Sequence, residues 1–263
     1  APCRMAFPIL ASVTAWTVEP VAQAPRLRLR LLNGAGAVLV DFRKRYPGHD
    51  LGASIPGKLA LAYQERGQLQ LAAAEFALMV AATQDAGERR ERLLITAELY
   101  DKAGDSGNAI KSYTDYADTY AQPADDYMEV VVRLAELLAA TGQPERQRQW
   151  LGRAVASYTR HAAEATDRMR FLAASSASVL ADDSYQNFRG TRLSLPLNKS
   201  LARKTAAMKE TMAAYQAIAA YGVAEYATLA GFRMADIYAQ LSRDLMASER
   251  PANLSEMELE QYE

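Results

Sequence analysis

The sequence predicts an all-α protein of about three stacked helix pairs followed by a long C-terminal helical hairpin. Three observations predict this. The first is composition: the 263 residues are 50% hydrophobic with alanine dominant, and hold only 14 glycines and 10 prolines, a balance that favours helix over strand. The second is an internal repeat. A small residue, an aromatic, a glycine, an alanine and a second aromatic stand at Ala60, Tyr63, Gly67, Ala72 and Phe76, and again at Ala97, Tyr100, Gly104, Ala109 and Tyr113. The steps of 3, 4, 5 and 4 residues are the same in both copies, and the second copy lies 37 residues after the first. That period is the signature of two-helix units stacked in a row. The third is a pair of long helices near the C-terminus, each with its apolar residues on one stripe.

Residues 1–35 carry Pro2, Pro8, Pro20 and Pro25 without a helical period, so they are expected to form an irregular arm. Within the arm, Arg26-Leu-Arg-Leu-Arg alternates as a short strand would, with no partner strand in sight, and Asn33-Gly34-Ala35-Gly36 reads as a break. The repeat array is expected over 36–157. Val38 to Tyr46 has the look of the second helix of an earlier unit, since Phe42 precedes Phe76 by 34 residues. Pro47 and Gly48 stop it, and the next helix starts near Ser54 with Pro56 in its first turn, where proline costs nothing. Gln122-Pro123-Ala124-Asp125-Asp126 is a second stop followed by acids suited to a helix start. A degenerate third unit follows, with Ala135, Leu138, Gly142 and Leu151, and with Gln147 in place of the small alanine.

From Tyr158 the repeat is lost although a helical pattern continues to 181, opening a C-terminal helical extension over 158–250. Asp182 to Pro196 reads as a polar connector anchored by Tyr185 and Phe188. One long helix then carries Leu197, Leu201, Met208, Met212, Tyr215 and Ala219, and the next Tyr226, Ala230, Met234, Ile237, Leu241 and Leu245. Steps of three, four or seven keep each set on one stripe, and Gly222 between them suits a helix end. Residues 251–263 read as the start of a further helix that stops mid-pattern, as in a chain that continues.

Composition also bounds function. Thirty basic residues against 31 acidic give a net charge of −1, so no global field draws nucleic acid or an anionic membrane. Cys3 is the only cysteine, which excludes an internal disulfide. No run reaches the 18 or more apolar residues of a membrane span. Ala22-Gln23-Ala24 has the small-x-small form of a signal cleavage site, but the basic region before it is a lone Arg4 and Pro8 interrupts the apolar stretch.

The five-position pattern resembles the tetratricopeptide repeat, a helix-turn-helix unit, over roughly residues 36–157. The resemblance implies that Ala60, Ala72, Ala97 and Ala109 let paired helices approach closely, that Tyr63, Phe76, Tyr100 and Tyr113 fill the space between units, and that Gly67 and Gly104 make the turns. Pro56 or Leu93 stands where the family carries a tryptophan-type residue. The phrases FRKRYPGHDL and YDKAGDSGNAIKSYTDYADTY are similar to repeats of Gram-negative envelope proteins. The tail phrases PLNKSLARKTAAMKETMAAYQ and SERPANLSEMELEQYE are similar to large repeat proteins that accompany TonB-type or gliding-motility systems. That second resemblance implies a periplasmic or outer-membrane-associated protein.

In the repeat family the first helices of successive units line a concave groove. Carried onto this sequence, the groove positions fall on Leu61, Gln64 and Glu65, then Glu91, Leu94, Glu98, Asp101 and Lys102, then Glu129, Val132 and Glu136. Six acids against one lysine favour a basic or proline-rich extended segment of a protein partner. The clamp with which some members hold acidic chaperone tails is not matched, since Gly57 and Leu61 stand in its place.

Residues that bear chemistry are sparse. His49 follows Pro-Gly and reads as a turn residue, and His161 as a helix-surface residue. Asp125-Asp126 and Asp182-Asp183 read as helix-end carboxylates, Ser175-Ser176 as a packing site, and Met208 with Met212 as core. The clusters Arg43-Lys44-Arg45, Arg89-Arg90 with Arg92, and Lys199 with Arg203-Lys204 are interspersed with acids and read as solvated faces. A partial Gly34-Ala35-Gly36 motif lacks the third glycine and preceding strand of a phosphate loop. The expected function is therefore non-catalytic, without cofactor or metal: a protein-interaction scaffold or adaptor of a bacterial envelope complex. The alternatives are a cytoplasmic adaptor of the same fold or the repeat portion of a larger envelope enzyme.

Overall fold

The computed structural model describes residues 25–248; the small-x-small motif, Cys3 and the expected final helix lie outside them. The described residues form an all-α chain of antiparallel helices, and no strand occurs among them. None of these helices is long and apolar enough to cross a membrane. The chain divides into two compact units between Asp105 and Ser106.

The first unit contains α1 (Pro25–Arg45), a 3-10 turn (Asp50–Ser54), α2 (Ile55–Glu65), α3 (Leu69–Ala82) and α4 (Ala86–Lys102). The expected break at residues 33–36 does not occur, and neither does the short strand: both lie inside α1. Pro25 opens the helix, where a missing N–H is harmless, and the leucines and arginines that looked strand-like are also good helix formers. Two glycines cost about 1 kcal/mol each in a helix interior, too little to stop such a run. Pro47 and Gly48 do end it, and Pro56 sits in the first turn of α2.

Each helix of this unit packs on the one before it: α2 on α1, α3 on α2, α4 on α3. The small positions sit at the contacts, with Ala60 1% exposed and Ala72 and Ala97 at 0%. Tyr63, Phe76 and Tyr100 are half-buried and pack around Ala72, Ala73 and Leu99. One basic cluster departs from the solvated reading. Arg43 on α1 grips Glu75 on α3 through two hydrogen bonds of 2.7 and 3.0 Å, and the Glu75 side chain is only 7% exposed.

The second unit contains α5 (Ser106–Thr119), α6 (Ala124–Ala140), α7 (Pro144–Arg160), α8 (Asp167–Gly190), α9 (Leu197–Ala220) and α10 (Ala224–Met246). Here α6 and α7 form a hairpin over a continuous apolar core in which Met128, Val131, Leu134, Ala135, Leu138 and Ala154 are fully enclosed. Gln147, in the place of the small alanine, is half-buried, and Trp150 and Leu151 supply the buried bulk of α7. Helix α8 packs on both α6 and α7, and α8, α9 and α10 share a core of Tyr185, Phe188, Tyr215, Ile218, Ala230 and Ile237.

Three expectations change in this unit. The polar connector begins only after Gly190, because α8 runs on through Tyr185 and Phe188, which are 2% and 0% exposed. Asp182 and Asp183 are therefore mid-helix rather than capping: Asp183 pairs with Arg148 of α7 at 3.4 Å and Asp182 faces Arg233 of α10 at 3.9 Å. Leu245 stays 40% exposed although it continues the stripe of α10.

The turns explain why the glycine spacing is so regular. Gly67, Gly104 and Gly142 have φ of 69°, 76° and 72°, a left-handed conformation that carries a steric penalty for any residue with a Cβ. Each closes the preceding helix in the same way. Gly67 N–H donates to the Gln64 carbonyl at 2.9 Å and Gln68 N–H to the Tyr63 carbonyl at 2.8 Å. Gly104 with Asp105, and Gly142 with Gln143, repeat the pair at 2.8 to 3.0 Å. These are Schellman endings, and they satisfy carbonyls that the helix itself leaves open. Gly222 ends α9 with φ of 73°.

Candidate partner-binding site

The predicted groove residues divide between the two units. In the first unit, α2 presents Leu61, 44% exposed, and Glu65, exposed, with Gln64 half-buried. These alternate with Leu59, Ala60 and Ala62 in the core. On α4, Glu91 and Lys102 are exposed, while Leu94, Glu98 and Asp101 are half-buried. Asp85 caps this helix by accepting from Glu88 N–H at 2.8 Å, which fixes where its first turn begins. Lys102 lies 3.6 Å from Glu98 one turn earlier, and Glu91 has no hydrogen-bond or ion-pair partner among the described residues. Burial, assisted by the Asp105 carboxylate, raises the pKa of Tyr100 above its ordinary value.

In the second unit the predicted positions are already in use. Glu129 on α6 accepts two hydrogen bonds from Arg168 on α8, one of them 2.8 Å long. That pairing holds the Arg168 pKa above its ordinary value, against the lowering effect of burial. Glu136 pairs with Arg133 at 2.6 Å, and Val132 is buried at 9% exposure.

The charge balance expected of the groove is corrected accordingly. Glu98, Glu129 and Glu136 each have a cation of this chain beside them. Arg133 was legible in the sequence, three residues before Glu136 on the same helix face. Arg168 was not, since it lies 39 residues from Glu129 and only the packing of α8 on α6 brings it there.

The histidines behave as joints of the fold. His49 Nδ1 accepts from Leu51 N–H at 3.1 Å and caps the 3-10 turn. His161 Nδ1 donates to the Ser157 carbonyl at 2.9 Å, leaving Nε2 to face the Gln122 side-chain amide at 2.9 Å. Ser176 is 1% exposed and donates to the Leu172 carbonyl at 2.7 Å, the packing role expected of it. Met208 and Met212 pack against the core shared by α8, α9 and α10. Asp125 and Asp126 stand in the first turn of α6, where the helix dipole favours a negative charge. Lys204 departs furthest from its expected place, being 0% exposed.

No protein-family model and no curated protein matches the chain. Among solved structures, the fold is similar to BtubC (BKLC) from P. vanneervenii, at 15% identity and a TM-score of 0.38 over 88% of this chain and 96% of that one. It is likewise similar to a tetratricopeptide repeat protein from Parabacteroides merdae ATCC 43184, at 17% identity and a TM-score of 0.39 over 90% of this chain and 82% of that one. Likenesses this distant carry no argument about function. What the helices establish directly is an all-α fold of tetratricopeptide-like hairpins, with left-handed glycines at the turns and small residues at the helix contacts.

Proposed function

We propose that this protein is a non-catalytic scaffold that holds an extended segment of a protein partner against the first helices of its repeats. The observation that carries the proposal is on α2, where Leu61 is 44% exposed directly beside Ala60 at 1%. An apolar side chain left outside the core, with Gln64 and Glu65 following it, is a surface suited to an extended chain that offers both apolar and polar groups. The acids of α4 at Glu91, Glu98 and Asp101 favour a basic segment, and electrostatics would act mainly on the rate of encounter.

Charge reversal tests it. Crosslinking and mass spectrometry in the cell that makes the protein compare wild type with Glu98→Lys/Asp101→Lys. The variant is expected to lose its crosslinked partner without a change in Tm, and undiminished capture overturns the proposal.

We place the scaffold in a bacterial envelope complex, periplasmic or associated with the outer membrane. The support is the similarity of FRKRYPGHDL and of the tail phrases to envelope repeat proteins. Fractionation with compartment markers decides it: a cytoplasmic pool alone overturns the placement.

A further inference from the structure

We propose that the second unit carries a separate docking site, a cavity between the end of α8 and the start of α9 that takes an acidic segment of a protein partner. The cavity has a volume of about 660 Å³ and is lined by Asn187 and Gly190 of α8, Arg192 and Ser194 of the connection, and Arg203 and Glu210 of α9. Ala206 and Ala207 complete its lining with small apolar groups.

Two arginines without partners share this one cavity. Most other arginines of the described residues are matched by acids of this chain: Arg43 by Glu75, Arg148 by Glu145 and Asp183, Arg153 by Asp118, Arg168 by Glu129, Arg243 by Asp236. Arg192 and Arg203 are exposed, and neither has a hydrogen-bond or ion-pair partner among the described residues. Two guanidinium groups on one cavity, each with its fork of donors unused, fit carboxylates better than any other common protein group.

The walls are fixed before anything binds. Ser200, 1% exposed, donates to the Ser194 carbonyl at 2.6 Å and accepts from Ser194 N–H at 3.1 Å. The connection that bears Arg192 is thereby tied to α9 one turn before Arg203. On the other side Lys204 donates to the Phe188 carbonyl at 2.7 Å, which pins the last turns of α8, with Asn187 and Gly190, to α9. A site held in place in this way loses little ordering entropy when a ligand enters.

The occupant follows from size and charge. The cavity is far larger than one inorganic anion needs and within the range of organic ligand sites. Glu210 on its rim would repel a densely charged polyanion. An extended peptide places one or two carboxylates on the arginines while Asn187 and Ser194 remain for its amides. This site has the opposite charge preference from the first-unit face and does not depend on it.

A display library of random peptides selected on the whole chain tests the proposal. Binders are expected to be enriched in Asp and Glu. The best of them, measured by fluorescence anisotropy, is expected to bind at least about tenfold more weakly to Arg192→Ala/Arg203→Ala, the loss typical of a charge-assisted hydrogen bond. Glu210→Gln is expected to strengthen binding, and Arg66→Ala/Arg89→Ala, which removes two exposed arginines elsewhere, to leave it unchanged. Tm of each variant guards against a folding defect, with Arg192→Lys/Arg203→Lys as the milder change expected to restore part of the affinity. Binders without an acidic excess, or equal binding to the double alanine variant, overturn the proposal. Loss with Glu98→Lys/Asp101→Lys instead assigns the peptide to the first-unit face and overturns it too, and binding of inorganic phosphate without acidic-peptide selection assigns the cavity to a small anion.

Discussion

The ammonium of Lys204 on α9, with no exposed surface, lies 2.6 Å from a carboxylate oxygen of Asp244 on α10. The same ammonium donates to the Phe188 carbonyl and sits 4.2 Å from the centre of the Phe188 ring. One charge therefore touches all three helices of the C-terminal extension. Gln240 supports the arrangement by donating to the other Asp244 oxygen at 2.7 Å.

Removing one member of this pair should cost more than replacing the charge. Asp244→Ala leaves a buried ammonium without its counter-ion and is expected to destabilise by about 2 kcal/mol or more, whereas Lys204→Met keeps the volume and should cost less. Urea unfolding of both variants checks the order. Asp244→Ala within about 0.5 kcal/mol of wild type, the size of an ordinary surface change, would show that the pair is not holding the helices.

The turn glycines give a second expectation. Gly142→Ala must place a Cβ at φ of 72°, and the loss should be roughly 1–2 kcal/mol because L-residues are disfavoured there. Gly152→Ala, inside α7 with nothing within 4 Å of the added Cβ, should instead stabilise by a few tenths to about 1 kcal/mol. Opposite signs in thermal melts support the turn argument, and equal signs count against it.

Aromatic residues at different depths should separate by depth. Phe188 is 0% exposed, and Phe188→Ala should cost about 3–5 kcal/mol. Tyr100 is only half-buried, so Tyr100→Ala should cost distinctly less, since less apolar area returns to water. Denaturant midpoints measure both, and a Tyr100 variant as damaging as the Phe188 variant would refute the ranking.

Acid should weaken one link in particular. The Tyr185 hydroxyl donates to Asp236, and that bond holds the Asp236 carboxyl below its ordinary pKa, against the opposing effect of burial. A carboxyl depressed by folding contributes stability that is fully present above its unfolded pKa. The contribution is lost as pH falls from that value through the lower folded one. Asp236→Asn should therefore flatten the fall in Tm below about pH 4, the ordinary carboxylate range, and an unaltered acid limb would refute the link.

The helix-pair architecture could be read in the sequence because it depends on local spacing. Ala60, Gly67 and Ala72, with their counterparts, recur at intervals that a two-helix unit needs, and the glycines sit where the backbone turns left-handed. The same kind of reading failed at residues 33–36 and at Asp182-Asp183. Glycines and paired acids lower helix propensity only slightly, and packing of α1 on α2 and of α8 on its neighbours outweighs them.

The candidate site was less legible. The sequence placed Glu129 and Glu136 among open groove acids, but it could not show Arg168 arriving from 39 residues away. Nor could it tell Lys204, enclosed, from Arg203, exposed, though they are neighbours on one helix. Periodicity alone determined the repeat helices, their turns and the small residues at their contacts, because those are set within one or two turns of chain. Tertiary structure alone decided which charges are spent inside the fold and which stay open to a partner, because an ion pair forms between side chains that only packing brings within reach.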